Sequence, residues 1–255
     1  MKLDSTPLKE IIDPIVRGFA RLERGVHPVE ELESGRVRFL RWPETGRRGA
    51  ESSEEFFALD LHPAEVLAIV RGARPGPDHL IAEIAARTSP MADAYLAAGY
   101  EYGSDEPLMI ANLTDENSRL PVGPPPPQRV TSMAAAERIL AAHAAIGYPA
   151  RPFSQALLDD PLVSIQAIFL NDQPTALGKL AIVERGAYIT DVMTMPDHRR
   201  MGFGETIMRQ LHADARAAGL TRAVLTSTAM ARPLYERLGY RQVATVTIYA
   251  TPERA

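Results

Sequence analysis

Apolar and polar positions change period along the chain, and the second half is the easier part to read. Residues 204–218 place Ile207, Met208, Leu211 and Ala215 on one helical face, and Gly219 follows as a stop. Apolar runs at 163–170, 177–183 and 187–195 are too short for core helices and read as strands. They are separated by turn residues at 171–174 and a tight turn at 184–186. Helical character at 134–146 and a short helix at 152–158 precede them. A strand at 223–226, a helix at 231–238 and a strand at 241–249 complete the chain. Three meandering strands followed by crossovers predict a mixed α/β sheet with helices on both faces.

The first half is less regular. A helix at 64–72 and a strand beginning at His79 stand out, followed by a hexapeptide, Tyr95 to Tyr100, that is similar to Tyr235 to Tyr240, 140 residues later. Each hexapeptide follows a strand-like run, ends at a glycine C-cap (Gly99, Gly239) and precedes another strand. The shared order predicts a duplication. Between the halves lie Pro121 and the four consecutive prolines Pro124 to Pro127, which can neither continue a helix nor fill a central strand. Residues 1–120 carry a net charge of −7 and residues 121–255 a net charge of +3. The expected division is therefore 1–120, a proline-rich linker at 121–128, and 129–255.

Composition narrows the chemistry. The 255 residues include no cysteine, which excludes disulfides, thiolate metal sites and a cysteine nucleophile. A net charge of −4 argues against a nucleic-acid partner. The N-terminal stretch has no apolar core of signal-peptide type, and no run of 18 apolar residues suggests a membrane span, so a cytoplasmic protein is expected. None of the six histidines has a neighbour at metal-ligand spacing, so no metal is expected.

One loop carries chemistry. A strand ends at Met195, Pro196 blocks its ladder, Arg199 and Arg200 follow, and Gly202 and Gly204 open the long helix. The first turn of a helix has amides without intrahelical partners and a partial positive charge. Glycines let a phosphate approach that backbone, and the arginines add charged donors, so the loop is an anion cradle for a phosphate or pyrophosphate. It is neither a P-loop, which needs Gly-Lys-Ser/Thr, nor a dinucleotide fingerprint, where a glycine would replace Ile207.

Arg199-x-x-Gly202-x-Gly204 at the head of that helix, followed by Leu234-Tyr-Glu-Arg-Leu-Gly-Tyr240, resembles the GNAT superfamily of N-acetyltransferases over about residues 129–250. The resemblance implies a GNAT acyl-CoA N-acyltransferase fold, in two tandem copies if the repeat is a duplication. It implies acetyl-CoA as acyl donor, with its pyrophosphate held by the amides of Arg200, Met201, Gly202, Phe203, Gly204 and Glu205 beside Arg199. Met193, Thr194 and Met195 would pair with the pantetheine arm. A strand bulge would open the slot for the thioester, and apolar Ile189 and Val192 at odd spacing are compatible with one. Tyr235 matches the family's general acid, while Tyr240 reads as core. Ser227 and Thr228 would bond the cofactor or cap the next helix.

For the general base, Asp191 leads over Glu184 and Tyr188, and a water chain would serve instead. Without cysteine no acetyl-enzyme thioester can form, so acetyl should pass directly to an amine in a ternary complex. A small-molecule amine is favoured as acceptor, with 146–153 beside it. A protein lysine or N-terminus, and a non-catalytic acyl-CoA sensor, are the alternatives. A homodimer is compatible with this reading. The first half lacks the cradle, since Asp60, Leu61, His62 and Pro63 stand where the glycines would be, and would shape the acceptor side. With only 15 residues after Tyr240, the family's last strand should be absent or come from another segment.

Overall fold

The computed structural model describes residues 8–43, 54–76, 78–86, 92–148, 151–184 and 186–252. Arg185 of the predicted turn, and residues 149 and 150 of the predicted acceptor segment, lie outside them. The first half contributes α1 (Leu8–Arg24), β1 (Glu30–Ser34), β2 (Val37–Arg41), β3 (Glu54–Leu59), α2 (Pro63–Ala73), β4 (His79–Ala85), α3 (Ala92–Ala97) and β5 (Glu101–Asn112). A short helix, α4 (Asp115–Ser118), leads to the second half. There follow β6 (Gln128–Arg129), α5 (Met133–Ala145), α6 (Gln155–Asp159), β7 (Val163–Leu170), β8 (Gln173–Val183) and β9 (Gly186–Thr194). Then come α7 (Phe203–Ala217), β10 (Arg222–Thr226), α8 (Arg232–Arg237) and β11 (Arg241–Ala250).

All eleven strands form one sheet in the order β1-β2-β3-β4-β11-β5-β10-β9-β8-β7-β6. The last strand of each half sits in the other half's sheet: β11 lies between β4 and β5, and β5 lies between β11 and β10. The strand missing from the end of the second half is therefore β5, contributed by the first. The two central strands are antiparallel, with Arg241 opposite Ile110 and Ala250 opposite Glu101. Moving each of these residues by the 140-residue repeat turns one pair into the other. The sheet thus reads alike from either side of the β5–β11 seam, with β3–β4 and β9–β10 as its parallel pairs.

Both faces are covered. Met109 and Ala111 of β5 pack with α7 and α8, while Leu108 and Ile110 of the same strand pack under α1, as period-2 alternation requires. Helix α1 has the apolar stripe Ile11, Ile12, Ile15, Val16, Phe19 and Leu22 at helical spacing. Although it begins the first half, it lies on β8, β9 and β10 of the second. Its seat is close: a Cβ on Gly18 would stand 2.5 Å from Tyr188 Cβ. The β7–β8 turn is tighter than predicted. Asn171 and Asp172 both have positive φ (49° and 63°), so β8 already begins at Gln173.

The segment from α4 through the prolines is a strap along α7. Arg209 donates to Glu116 O (2.6 Å), and His212 bonds Asn117 O through Nδ1 (2.9 Å) and Tyr240 Oη through Nε2 (2.9 Å). Asp115 pairs with Arg216, and Pro124 reaches Gly202, where an added Cβ would stand 3.3 Å from the proline ring.

Strand β9 departs from regularity. Leu177 faces Met193 and Lys179 faces Thr190, so Gly178 opposes both Asp191 and Val192, and Asp191 has φ +51°. This is the bulge that the odd apolar spacing suggested. The buried Lys179 ammonium holds the Asp191 carboxylate at 2.9 Å and lies 4.7 Å from the Phe153 ring centre. Gly178 leaves room for α7, since a Cβ there would stand 2.7 Å from Ile207 Cγ2.

Two stability predictions follow from these contacts. Gly18→Ala overpacks the α1–β9 contact and should cost about 1–3 kcal/mol in urea unfolding. Gly72→Ala, in a helix with nothing near the added methyl, should instead stabilise by about 0.5–1 kcal/mol.

Candidate active site

Beyond its first residues β9 leaves β10. The parallel ladder joins only Ala187 to Ala223 and Val224 to Tyr188. Among the described residues, the edge of β9 facing β10 has no ladder partner from Ile189 onward. The bulge drives this divergence, because it bends β9 where the extra residue is accommodated. Met193 and Thr194 remain paired with β8 on the other side, and Met195 N donates to Thr175 O (2.8 Å). Their free edge therefore faces the opening.

The cradle forms at the end of that strand. A 3-10 turn at Pro196–His198 redirects the chain, and Arg199 Nε donates to Thr194 O (3.3 Å). Arg200 and Gly202 are left-handed, with φ of 63° and 82°, and turn the amides toward one side. Helix α7 starts at Phe203 with no side-chain cap on its first turn. Gly204 is needed for close packing, since a Cβ there would stand 3.3 Å from both Leu234 and Thr194. Met201 is exposed at the tip, Phe203 is buried, and the Glu205 carboxylate turns back to Arg209 (2.8 Å). Only the backbone of Glu205 is thus available to a bound anion.

Beside the splayed strands lies a cleft of about 470 Å³. The second half contributes Tyr148, Arg151, Tyr188 to Val192, Thr228 and Tyr235. The first half contributes Ile15 and Phe19 from α1, Glu55 and Phe57 from β3, Leu80, Ala82 and Ile84 from β4, and Ser104 and Glu106 from β5. Three carboxylates, Glu55, Glu106 and Asp191, face one guanidinium, Arg151. That guanidinium donates to Glu23 (2.9 Å) and stacks 4.5 Å from the Phe19 ring centre.

The sequence-predicted residues separate clearly. Tyr235 lines the cleft, and burial pushes its phenol up to about 12, so it is protonated at neutral pH. Tyr188 also lines the cleft and is pushed up to about 12 by burial, against the opposing pull of Arg151 and a hydrogen bond with Thr190. Asp191 lines it but is bound to Lys179. Glu184 is outside it, on an exposed turn 3.5 Å from Arg17. Ser227 is buried and its hydroxyl donates to Thr228 O (2.8 Å), whereas Thr228 accepts from Ala231 N (3.3 Å) at the start of α8 and faces the cleft. Tyr240 is core, bonded to His212.

Sequence reasoning placed 146–153 beside the acceptor, and Tyr148 and Arg151 of that segment do line the cleft, but it singled out neither of them and did not find α1, Glu55 or Glu106. The helical stripe of α1 was readable. Glu106 had no local signal, because only strand exchange brings β5 beside β10.

The corresponding place in the first half differs. Strands β3 and β4 stay paired over six residues, from Glu54–His79 to Leu59–Ile84. The His62 side chain accepts from Ala64 N and caps α2. Tyr95, which matches Tyr235 in the repeat, has no exposed surface and stacks on Tyr249 at 4.3 Å.

Known proteins share this architecture. The solved structure of a GCN5-related N-acetyltransferase from Kribbella flavida superposes with a TM-score of 0.67 at 23% identity, over 96% of this chain and 95% of that one. A functionally unknown conserved protein from Staphylococcus epidermidis gives 0.64 at 12% identity, over 91% and 98%. A GCN5-related N-acetyltransferase-like protein from Streptococcus suis gives 0.54 at 15% identity, over 95% and 98%. At these identities the likeness concerns the fold. No curated protein matches the sequence. The family model for GNAT acetyltransferases matches residues 133–240, a span that holds the bulge, the cradle and Tyr235. Over residues 133–240, fewer than half of the chain, the sequence is similar to the GNAT acetyltransferase family.

Proposed function

We propose that the protein is an acetyl-CoA-dependent N-acetyltransferase that acetylates a small cationic primary amine by direct transfer in a ternary complex. The observation that carries this reading is the junction of three features: the slot between β9 and β10, the uncapped start of α7 at its mouth, and the Tyr235 phenol in its wall. The cradle suits the pyrophosphate of acetyl-CoA. The unpaired edge of β9 from Ile189 to Thr194 offers amides and carbonyls to the pantetheine arm and the thioester oxygen. Tyr235, protonated at neutral pH, gives its proton to the departing thiolate.

The acceptor's nature follows from the cleft. Its volume is that of a small-ligand site, and α1 with β3, β4 and β5 walls it off. Its excess of carboxylates favours an ammonium over a neutral or anionic acceptor. On this reading the first half is a second GNAT-like copy that binds no acyl-CoA and serves as the acceptor wall. Its unbroken β3–β4 ladder, its capped α2 and its buried Tyr95 support that division of labour. A cytoplasmic location fits the ligand.

Thiol release from acetyl-CoA with a panel of amines tests the proposal. Tyr235→Phe should lower kcat about 100-fold while acetyl-CoA still binds with unchanged Kd. Gly202→Val, which forces a branched side chain into a left-handed site against Pro124, should raise the Kd for acetyl-CoA about tenfold or more. Acetyl-CoA binding without turnover on any amine, peptide or water would refute the enzyme reading and leave a sensor.

A further inference from the structure

We infer that Glu106, a residue of the first half, is the general base of the second half's active site: it binds the acceptor's ammonium and takes its proton. This inference rests on the acetyl-transfer reading above.

Strand exchange is what brings Glu106 to the site. Its neighbour Pro107 accepts from Ser227 N (2.9 Å), one step beyond the last β5–β10 pair, Leu108 with Thr226. Glu106 therefore stands at the end of β10, where β9 has already departed and where the chain turns into α8 with Tyr235. Alternation puts it on the face of Leu108 and Ile110, toward α1 and the cleft, which it lines half-buried. The titratable groups that line the cleft with it are Tyr188 and Asp191 from β9, Tyr235 from α8 and Arg151 from the segment before α6, with Glu55 of β3 at the far end of the sheet face.

The other candidates fail for physical reasons. Asp191 neutralises the buried Lys179 ammonium, and protonating it would leave that charge uncompensated. Tyr188 is a neutral phenol at working pH, with no acceptor strength to spare. Glu184 lies outside the cleft. Glu55 is three strands away: its row runs through Leu80 and Ala250 to Glu101, so its Cα lies roughly 20 Å from that of Glu106 at ordinary strand spacing.

Glu106 faces a floor of Ala82, Ile84, Val246 and Ile248. In the step, one ammonium proton passes to a Glu106 carboxylate oxygen. The freed nitrogen lone pair forms the C–N bond at the thioester carbonyl carbon, and the C–S bond breaks. The thiolate takes the Tyr235 proton, and a second nitrogen proton restores the phenol. Amide and thiol leave, and Glu106 returns its proton to solvent.

The test compares two kinds of acceptor. Alkylamines and alkyldiamines of increasing length are protonated at neutral pH and need a base, whereas hydroxylamine is already neutral and does not. Glu106→Gln should lower kcat about 100-fold or more with the alkylamines and less than tenfold with hydroxylamine, with an unchanged Kd for acetyl-CoA. Glu106→Asp should restore part of the alkylamine rate, and Glu184→Gln should change neither rate. Equal losses on both acceptors, or none, would overturn the assignment. So would calorimetric binding of an alkyldiamine to the enzyme–CoA complex that is unaffected by Glu106→Gln. Wild-type protein that binds acetyl-CoA but acetylates no acceptor would overturn the acetyl-transfer reading itself, and this inference with it, before any variant is compared.

Discussion

The antiparallel seam between β5 and β11 is the constraint on which the rest of the molecule depends. Each strand ends one half of the chain and is held on both sides by partners that include the other half. Separating the halves would open the β4–β11, β11–β5 and β5–β10 ladders together, and their backbone groups would lose their partners. The two halves therefore share one sheet. The same seam fixes what faces the slot. With β5 as the neighbour of β10, the residues of β5 on the α1 face become one wall of a cleft whose other wall, with β9 and Tyr235, belongs to the other half.

A second, local irregularity converts that sheet into a site. An unbroken parallel ladder between β9 and β10 would leave no edge for a ligand. One extra residue at Asp191–Val192 lets β9 stay paired with β8 while it parts from β10. A non-glycine residue at φ +51° is costly, and the buried Lys179 that binds its carboxylate offsets that cost. Asp191 thus anchors the bulge through its bond to Lys179.

The first half shows what the fold is without these features. Its elements run in the same order, from a leading helix through three strands to the final helix and strand. Yet β3 follows β4 along its length, His62 occupies an amide at the start of α2, and the tyrosine of the repeat is sealed against Tyr249. Slot, cradle and phenol are all closed together. Helix α1 and the last strand of this half both line the cleft of the other. Helix α1 carries the same exchange into the helical layer, where Gly18 rests on Tyr188.

Much of this was local enough to be legible. The helix stripe of α7, the glycines after Arg199 and the Leu234–Tyr240 segment depend on spacings of a few residues, and they located the cradle and Tyr235 within a residue or two. The short tail after Tyr240 pointed to a borrowed strand, because a missing element is a matter of counting. The bulge left a trace in Ile189 and Val192. The lender of the strand, the seat of α1 and the cleft's far wall left none, since they depend on contacts more than a hundred residues apart. Glu106 reads in sequence as one more charge on a half-exposed strand. By itself the sequence determined the glycine loop at the head of α7 and the place of Tyr235, because a backbone cradle is built by consecutive residues. Only the tertiary structure decided the far wall of the cleft, because strand pairing across the two halves chooses which side chains line it.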